Sequence, residues 1–305
     1  MDFFTVSFAI LSLFIIIGLG FLLRKKGVLD GRRIHWISHI LVNIALPALT
    51  ISSMQMPPTE QTIGIVDHML VIAFAYYILA FIFSILVCRF LPSTKAEKGV
   101  IQFMLVFPNV GFIGIPVADA VLGHGALFYV ILFNLPFNFL VFTLGVWLLA
   151  HGRPGRFDPR LLITPGLIAS IFGLALFWFG FDIPYPVDSV LEYVGMTTTP
   201  LAMLVVGAML ATLPVRKLAG DWRVLAVSFL RLIIMPVLAF VILAPLVSDP
   251  LLLVVSVLLI AMPVAANTVL LSEEYEVDAT LASQGVFLST LISLVTLPVL
   301  VYLLI

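Results

Sequence analysis

The chain has 305 residues, of which 62% are hydrophobic and only 10% are charged. Soluble domains carry about 25% charged residues, and a water-soluble fold of this composition would expose large apolar patches. The composition therefore excludes a soluble protein. The net charge of −1 gives no electrostatic reason to expect a nucleic-acid partner. We expect an all-α protein embedded in membrane lipid.

Ten segments are apolar over the length of about 20 residues that a bilayer requires. In chain order they are 4–23, 34–54, 69–90, 100–122, 126–150, 161–180, 187–213, 224–247, 251–271 and 279–304. The chain is apolar from Phe3 and has no basic leader region, so we expect the first span to be retained. The single cysteine, Cys88, excludes an intrachain disulfide.

The basic residues lie almost entirely in alternate connections between these spans. The first, third, fifth and seventh connections hold all but one of the 15 Lys and Arg residues. Basic loops stay in the cytoplasm, so both termini are predicted to be extracytoplasmic. The fifth and seventh connections contribute Arg153, Arg156, Arg160, Arg216, Lys217 and Arg223.

The fourth span is interrupted near its middle. Pro108 and Pro116 each remove a backbone donor, which stops a helix from running through. Gly111 and Gly114 permit unusual backbone angles and close approach, and Asn109 supplies two donors and an acceptor. A membrane helix tolerates such a break where its freed backbone groups face protein or a wet cavity.

The ninth span carries a second break at Pro263, which precedes Asn267 and Thr268. Pro263 follows Pro108 by 155 residues, about half the length of the chain. Helix N-termini carry partial positive charge and C-termini partial negative charge. If the two breaks cross, the N-termini would attract an anion, while freed carbonyls and C-terminal ends could hold a cation. The alternative is a pair of kinked helices whose asparagines only satisfy freed backbone groups.

The two halves of the chain, 1–150 and 151–305, are predicted to form an inverted repeat. Five spans per half is an odd number, so the halves have opposite topology. The 155-residue offset also relates Asn134 to Ser289. We therefore predict ten transmembrane helices in a 5+5 inverted repeat, with broken helices four and nine crossing and an exposed linker at 151–160.

Several further polar residues are candidates with two interpretations each. Asn43 either lines the transport path or holds helices together, and Asn134 and Asn138 either contact substrate or brace the break. Arg231, the one Lys or Arg residue outside the first, third, fifth and seventh connections, is functional by default or snorkels to the surface. Asp119 either carries a coupled proton or is solvated. The candidate substrate-binding residues are Asn109, Gly111, Gly114, Asn267, Thr268, Asn43, Asn134 and Asn138; the helix-break residues are Pro108, Pro116 and Pro263; and the proton-coupling or gating residues are Asp119 and Arg231.

Enzyme signatures are missing from the sequence. It has neither the phosphate-binding G-x-x-x-x-G-K-[ST] loop nor H-E-x-x-H. His35 and His39 lack the partner residues of a metal site. We therefore predict a protein that is not an enzyme and that uses no metal or other cofactor. A channel remains an alternative, although it normally has a continuous polar lining, and an intramembrane enzyme would need a nucleophile or paired carboxylates.

The segment Pro108–Pro116, read as P-N-V-G-F-I-G-I-P, resembles the N-x-G-x-x-G-x-P signature of the auxin efflux carrier family. The ten-span plan, external N-terminus and second break are similar as well. The short central connection resembles the bacterial branch, which includes permeases of malonate, malate and related anions. The resemblance implies an inner-membrane protein whose fold is shared with bile acid:sodium symporters. Spans one, two, six and seven would form a scaffold, and spans three to five and eight to ten a transport core.

The resemblance also implies a function: secondary active transport of a small organic anion (auxin-, malonate- or malate-like) by an elevator-type movement. The substrate carboxylate would meet Asn109 and Asn267 at the crossing, and the scaffold would form a homodimer. Bile acid symporters bind sodium with an acidic residue beside the ninth-span break, and 263–271 contains none. We therefore expect at most a weak sodium site made of backbone carbonyls. A sodium-coupled symporter and an anion channel remain the alternatives.

Overall fold

The computed structural model describes residues 3–150, 163–212 and 221–304, and these ranges are helical with short connections. The all-α class is confirmed for this part of the chain. The predicted linker at 151–160 lies outside the described residues, as do five of the basic residues used to orient the spans: Arg153, Arg156, Arg160, Arg216 and Lys217.

Many of the helices begin at a polar residue that caps the first turn. Thr59, Thr94, Asp221 and Asp249 each accept a hydrogen bond from a backbone N–H in the first turn of the helix that follows them. The helices are α1 (Phe3–Lys25), α2 (Gly31–Ser53), α3 (Glu60–Phe90), α4 (Lys95–Val106), α5 (Val110–Leu122), α6 (His124–Leu149), α7 (Pro165–Phe179), α8 (Val187–Leu210), α9 (Trp222–Leu243), α10 (Pro250–Ile260), α11 (Asn267–Glu274) and α12 (Ala279–Leu304).

Seven helices in the described ranges are long and apolar enough to cross a membrane, namely α1, α2, α3, α6, α8, α9 and α12. Helices lie at each of the ten predicted positions, and spans four and nine are each a pair of short helices, α4 with α5 and α10 with α11. The chain is a multi-pass integral membrane protein. The ten-span count stays a prediction, because α7 and the four short helices are each shorter than a bilayer requires.

Three prolines inside helices, Pro47, Pro116 and Pro236, follow a wider turn of π-helix. A proline lacks an N–H and its ring clashes with the carbonyl of the preceding turn, and a π turn leaves room for both. The prediction that Pro116 breaks the fourth span is therefore wrong, because α5 continues through it. The π turns at Leu41–Ala45, Val110–Gly114 and Leu230–Ile234 each end two residues before a proline, at Pro47, Pro116 and Pro236.

Helices α1, α2, α7 and α8 pack together as one group. Helix α1 lies along the C-terminal half of α8, while α2 packs against α7 and the N-terminal half of α8. The α1–α8 contact depends on two glycines. A Cβ atom at Gly20 would collide with the backbone of Leu204, and one at Gly207 with the backbone of Ile17. Small residues let membrane helices approach this closely.

A second group consists of α3, α4, α5, α6, α9, α10, α11 and α12. Helix α3 contacts α4, α6 and α10, while α12 contacts α4, α9, α10 and α11. The two groups meet where α1 contacts α5 and α12, where α8 contacts α5, and where α6 contacts α2 and α7. The crossing of the broken helices lies inside this second group, next to the first.

Candidate functional site

The two broken helices meet at their breaks. Residues Pro108 and Val264 pair as a single antiparallel β-bridge. The N–H of Asn109 donates to the carbonyl of Pro263 at 2.8 Å, and the N–H of Ala265 donates to the carbonyl of Phe107 at 3.0 Å. Each break therefore supplies hydrogen-bond partners for backbone groups of the other. We call residues 107–109 and 263–265 together the crossing.

The crossing has one side of helix C-termini and one side of helix N-termini. Helices α4 and α10 end there, and α5 and α11 begin there. The first pair brings partial negative charge to the centre of the fold, and the second brings partial positive charge. The two sides are occupied differently.

Arg231 fills the C-terminal side. Its side chain is fully buried, and its Nη2 donates to the carbonyl of Ile260 at 2.8 Å. Its Nε donates to Met262 at 3.3 Å, and its Nη1 donates to Leu105 at 3.0 Å. The guanidinium thus bonds both helix ends, so Arg231 does not snorkel to the surface.

Tyr76 of α3 completes this arrangement, and we did not single it out from the sequence. Its hydroxyl accepts from Arg231 Nη1 at 2.6 Å and donates to the carbonyl of Val106 at 3.0 Å. The sequence signal was a tyrosine pair, Tyr76 and Tyr77, in the middle of an apolar span. A buried phenol usually finds a hydrogen-bond partner, as Tyr76 does, whereas the Tyr77 hydroxyl has none among the described residues.

The N-terminal side opens on a small cavity that we call the crossing cavity. Asn109 of the crossing and Ala266 next to it line the cavity, together with Val206 and Leu210 of α8 and Thr290 of α12. It has about 30 Å³ of water-accessible space, enough for about two water molecules. The cavity lies between the two groups of helices, since α8 belongs to the first and the other residues to the second.

Asn109 is placed to serve both the fold and a ligand. Its side chain is 3% exposed, and its Oδ1 accepts from the N–H of Phe112 at 3.2 Å, which caps the start of α5. Its amide nitrogen donates to no residue in the described part of the chain. A donor is therefore available at the wall of the crossing cavity.

Asn267 and Thr268 are not equivalent in the second break. Asn267 begins α11 and is partly exposed, with no side-chain hydrogen bond to any described residue. Thr268 is fully buried, and its hydroxyl donates to the carbonyl of Ala265 at 2.7 Å. Thr268 thus supports the local backbone, while the amide of Asn267 is free. On the same backbone, the Val264 N–H donates to Ser289 Oγ of α12 at 3.0 Å.

The glycines of the first break act through their size. Gly114 has helical angles, φ −64° and ψ −46°, and a Cβ there would lie 3.0 Å from Leu259 Cδ2. Gly111 lies in the π turn and has open space beside it. The prediction that these glycines provide unusual backbone angles is wrong, because α5 is already helical there. Close approach of α5 to α10 is what Gly114 allows.

Of the eight candidate substrate-binding residues, Asn109 lines the crossing cavity and the other seven, including Asn267, do not. Asn43 donates to the carbonyl of His39 in its own helix at 2.8 Å. Asn138 lies against Gly166 at the start of α7. Asn134 carries a buried Oδ1 with no hydrogen-bond partner in the described part of the protein.

Asp119 lies near the end of α5, beyond the crossing. Its Oδ1 is 3.2 Å from His124 Nδ1, and both side chains are partly exposed. The pair therefore lies at the surface end of the half-helix. The structure does not bring Asp119 together with Arg231, the other residue predicted for coupling or gating.

An ion-pair cluster joins the starts of α4 and α9. Arg223 Nη2 lies 2.8 Å from Glu97 Oε1 and 2.6 Å from Asp221 Oδ2. The hydrogen bonds from Arg223 and from the Thr94 N–H lower the pKa of Glu97 to about 2, and those from Arg223 also lower the pKa of Asp221. The two carboxylates in turn raise the pKa of Arg223.

Comparison with known proteins decides the family. The model of a family described as membrane transport protein matches residues 5–158 and 156–301. The chain belongs to this family, whose members are auxin efflux carrier-like. The resemblance drawn from the first break is therefore confirmed.

Relatives in this family match the chain over nearly its whole length. A protein of Rhizobium meliloti named "Putative malonate transporter" is 26% identical, covering 96% of this chain and 94% of the relative. An uncharacterized transporter of Methanothermobacter thermautotrophicus is 28% identical, covering 95% of both chains. One from Methanocaldococcus jannaschii is 26% identical, covering 94% and 95%. Because the relatives are named transporters, a transport role rather than an enzymatic one is supported for this membrane transport protein.

Proposed function

We propose that the chain is a secondary active transporter of a small organic anion, with the carboxylate bound at the N-terminal side of the crossing. The observation that carries the proposal is the meeting of two helix N-termini at a cavity lined by Asn109. Free N–H groups and the helix dipole favour an anion at such a place. The donor of Asn109 and the free amide of Asn267 would complete the ligand set.

The substrate class rests on charge and on one relative. The two helix N-termini place partial positive charge at the cavity, while no described carboxylate bonds with any part of the crossing. The Rhizobium meliloti relative is named for malonate. A short mono- or dicarboxylate of malonate or malate size is therefore the proposed substrate. Lipid surrounds the apolar outer faces, and a homodimer stays an expectation from the resemblance.

The proposed movement is an elevator in which the second group of helices slides against the first. The predicted scaffold of spans one, two, six and seven corresponds to α1, α2, α7 and α8. The crossing cavity lies between this group and the rest of the fold. Because it holds only about 30 Å³ of water-accessible space, the groups must separate before a carboxylate can enter. The 5+5 inverted repeat would let either side open in turn.

Uptake by proteoliposomes tests this function. The purified protein should take up labelled malonate or malate saturably, under proton, sodium or no gradient measured separately. Asn109→Ala and Asn267→Ala should each reduce uptake about tenfold or more, because each removes a donor to the carboxylate. Asn43→Ala is the matched control, since its amide bonds within its own helix. Equal uptake by all four proteins would overturn the proposed site, and a flux that never saturates would favour a channel.

A further inference from the structure

The carbonyls on the C-terminal side of the crossing have lost their helical partners. In a continuous helix the Leu105 carbonyl would accept from the N–H of Asn109, which instead bonds Pro263. The Ile260 carbonyl would likewise accept from Val264, whose N–H bonds Ser289. Two ends rich in free carbonyls therefore face one point inside the protein. Such converging carbonyls form a cation site in membrane proteins.

A guanidinium already occupies that point. Arg231 donates hydrogen bonds to the carbonyls of Leu105, Ile260 and Met262. The hydroxyl of Tyr76, which accepts from Arg231, donates to the carbonyl of Val106. No carboxylate of the described residues pairs with Arg231. Each helix end carries about −0.5 of an elementary charge, so the two ends together match one guanidinium. The helix ends are thus the counter-charge of the arginine.

The position of Arg231 in its own helix is consistent with this role. It lies in the π turn Leu230–Ile234 of α9, ahead of Pro236. One turn later the Met235 sulfur accepts from Nη1 at 3.4 Å. The guanidinium is therefore bonded by α3, α4, α9 and the second break together.

We propose that Arg231 is a built-in cation that fills the cation-binding half of the crossing. A guanidinium keeps its charge in proteins, so a coupling cation such as Na⁺ finds its carbonyl ligands already bonded. The protein would then carry its anion without a co-bound sodium ion. This last consequence rests on the proposed transport function, whereas the built-in cation itself does not.

Removing the guanidinium of Arg231 by mutation provides a direct test. Arg231→Ala should melt at least about 5 °C below the unmodified protein in detergent, because two helix ends lose their counter-charge. Low millimolar guanidinium should raise that melting temperature saturably, while urea, which is planar and neutral, should not. Arg89→Ala is the matched control, because Arg89 is exposed at the end of α3. Equal responses to guanidinium and urea would overturn the proposal.

Sodium titration of the unmodified protein keeps the proposal testable if Arg231→Ala does not fold. Its melting temperature should be the same in sodium and choline salts of equal ionic strength, and Arg231→Lys should retain part of the stability. Saturable stabilisation by sodium would overturn the built-in cation. If the unmodified protein takes up no carboxylate but guanidinium stabilises Arg231→Ala, the proposed transport function is overturned and the built-in cation is not.

Discussion

A fully buried arginine without an acidic partner needs a physical explanation at the scale of single residues. Removing an ion from water costs several kcal/mol unless it is paired and hydrogen-bonded. Arg231 recovers that cost through carbonyls whose own partners were removed by the breaks at Pro108 and Pro263. The arginine and the breaks stabilise each other, because the guanidinium bonds carbonyls that the breaks leave without helical partners. The residues therefore form one unit.

The double role of Asn109 leads to a prediction that separates its structural from its binding contribution. Asparagine and aspartate cap helices about equally well, so Asn109→Asp should keep the bond to the Phe112 N–H. The added negative charge should repel a carboxylate and lower its apparent affinity about tenfold or more. Uptake kinetics give the affinity and the melting temperature checks the fold. Unchanged affinity with a stable protein would contradict a carboxylate at this position.

At the scale of helices, the breaks differ from the other prolines because of what meets them. Pro47, Pro116 and Pro236 follow π turns inside continuous helices. Pro108 and Pro263 lie opposite one another's backbone, where an extended segment gains the hydrogen bonds of a β-bridge. At the crossing, proline therefore ends a helix where the other break supplies hydrogen-bond partners, whereas at Pro47, Pro116 and Pro236 the helix continues after a π turn.

The contact between α1 and α8 predicts a difference between two glycines of one helix. Gly20→Ala would force the helices apart, because its Cβ would meet the Leu204 backbone. Gly18→Ala meets nothing within 4 Å and should be neutral or slightly stabilising. We expect the first variant to lower the melting temperature by several degrees relative to the second. Equal melting temperatures would contradict the tight α1–α8 contact.

The cluster at the starts of α4 and α9 predicts a pH dependence. The folded protein lowers the pKa of Glu97 from its ordinary 4.5 to about 2. The stability it contributes is therefore present above about pH 4.5 and lost as the pH falls towards 2. Arg223→Gln should lower the melting temperature at pH 7 and lower it less at pH 3. Arg89→Gln, at an exposed position, should have no such pH-dependent effect.

At the scale of the whole molecule, the position of the crossing cavity between two groups of helices predicts that joining those groups stops transport. Val206 of α8 and Val269 of α11 both line it. In a Cys88→Ala background, reversible cross-linking of cysteines at these positions should block uptake, and reduction should restore it. A cysteine pair at Val269 and Val286 is the control, since both residues belong to the second group. Uptake that persists in the cross-linked Val206–Val269 protein would exclude a sliding movement.

Much of the plan of the molecule was predictable because it depends on local composition. Apolar runs indicated helices at ten positions, and a proline followed by an asparagine indicated both breaks. Asn109 could be assigned to the crossing for the same reason. The role of Tyr76 could not, because its partner, Arg231, is 155 residues away and only folding brings the two together.

The predictions that need correction depended on contacts or on backbone context. Pro116 does not break α5, since a preceding π turn absorbs its ring. Gly114 is needed for space beside Leu259 rather than for a special backbone angle. For Arg231, sequence reasoning left snorkelling and function equally open, and burial among two helix ends removed the first alternative.

The amino-acid sequence by itself determined that the chain lies in lipid, roughly which segments are helical, and that two of the spans are broken. These properties follow from apolar length and from the missing N–H of proline, which act locally. Tertiary structure alone decided which charge faces which side of the crossing. That choice depends on the direction of four short helices and on an arginine from a fifth, and only packing sets their relative positions.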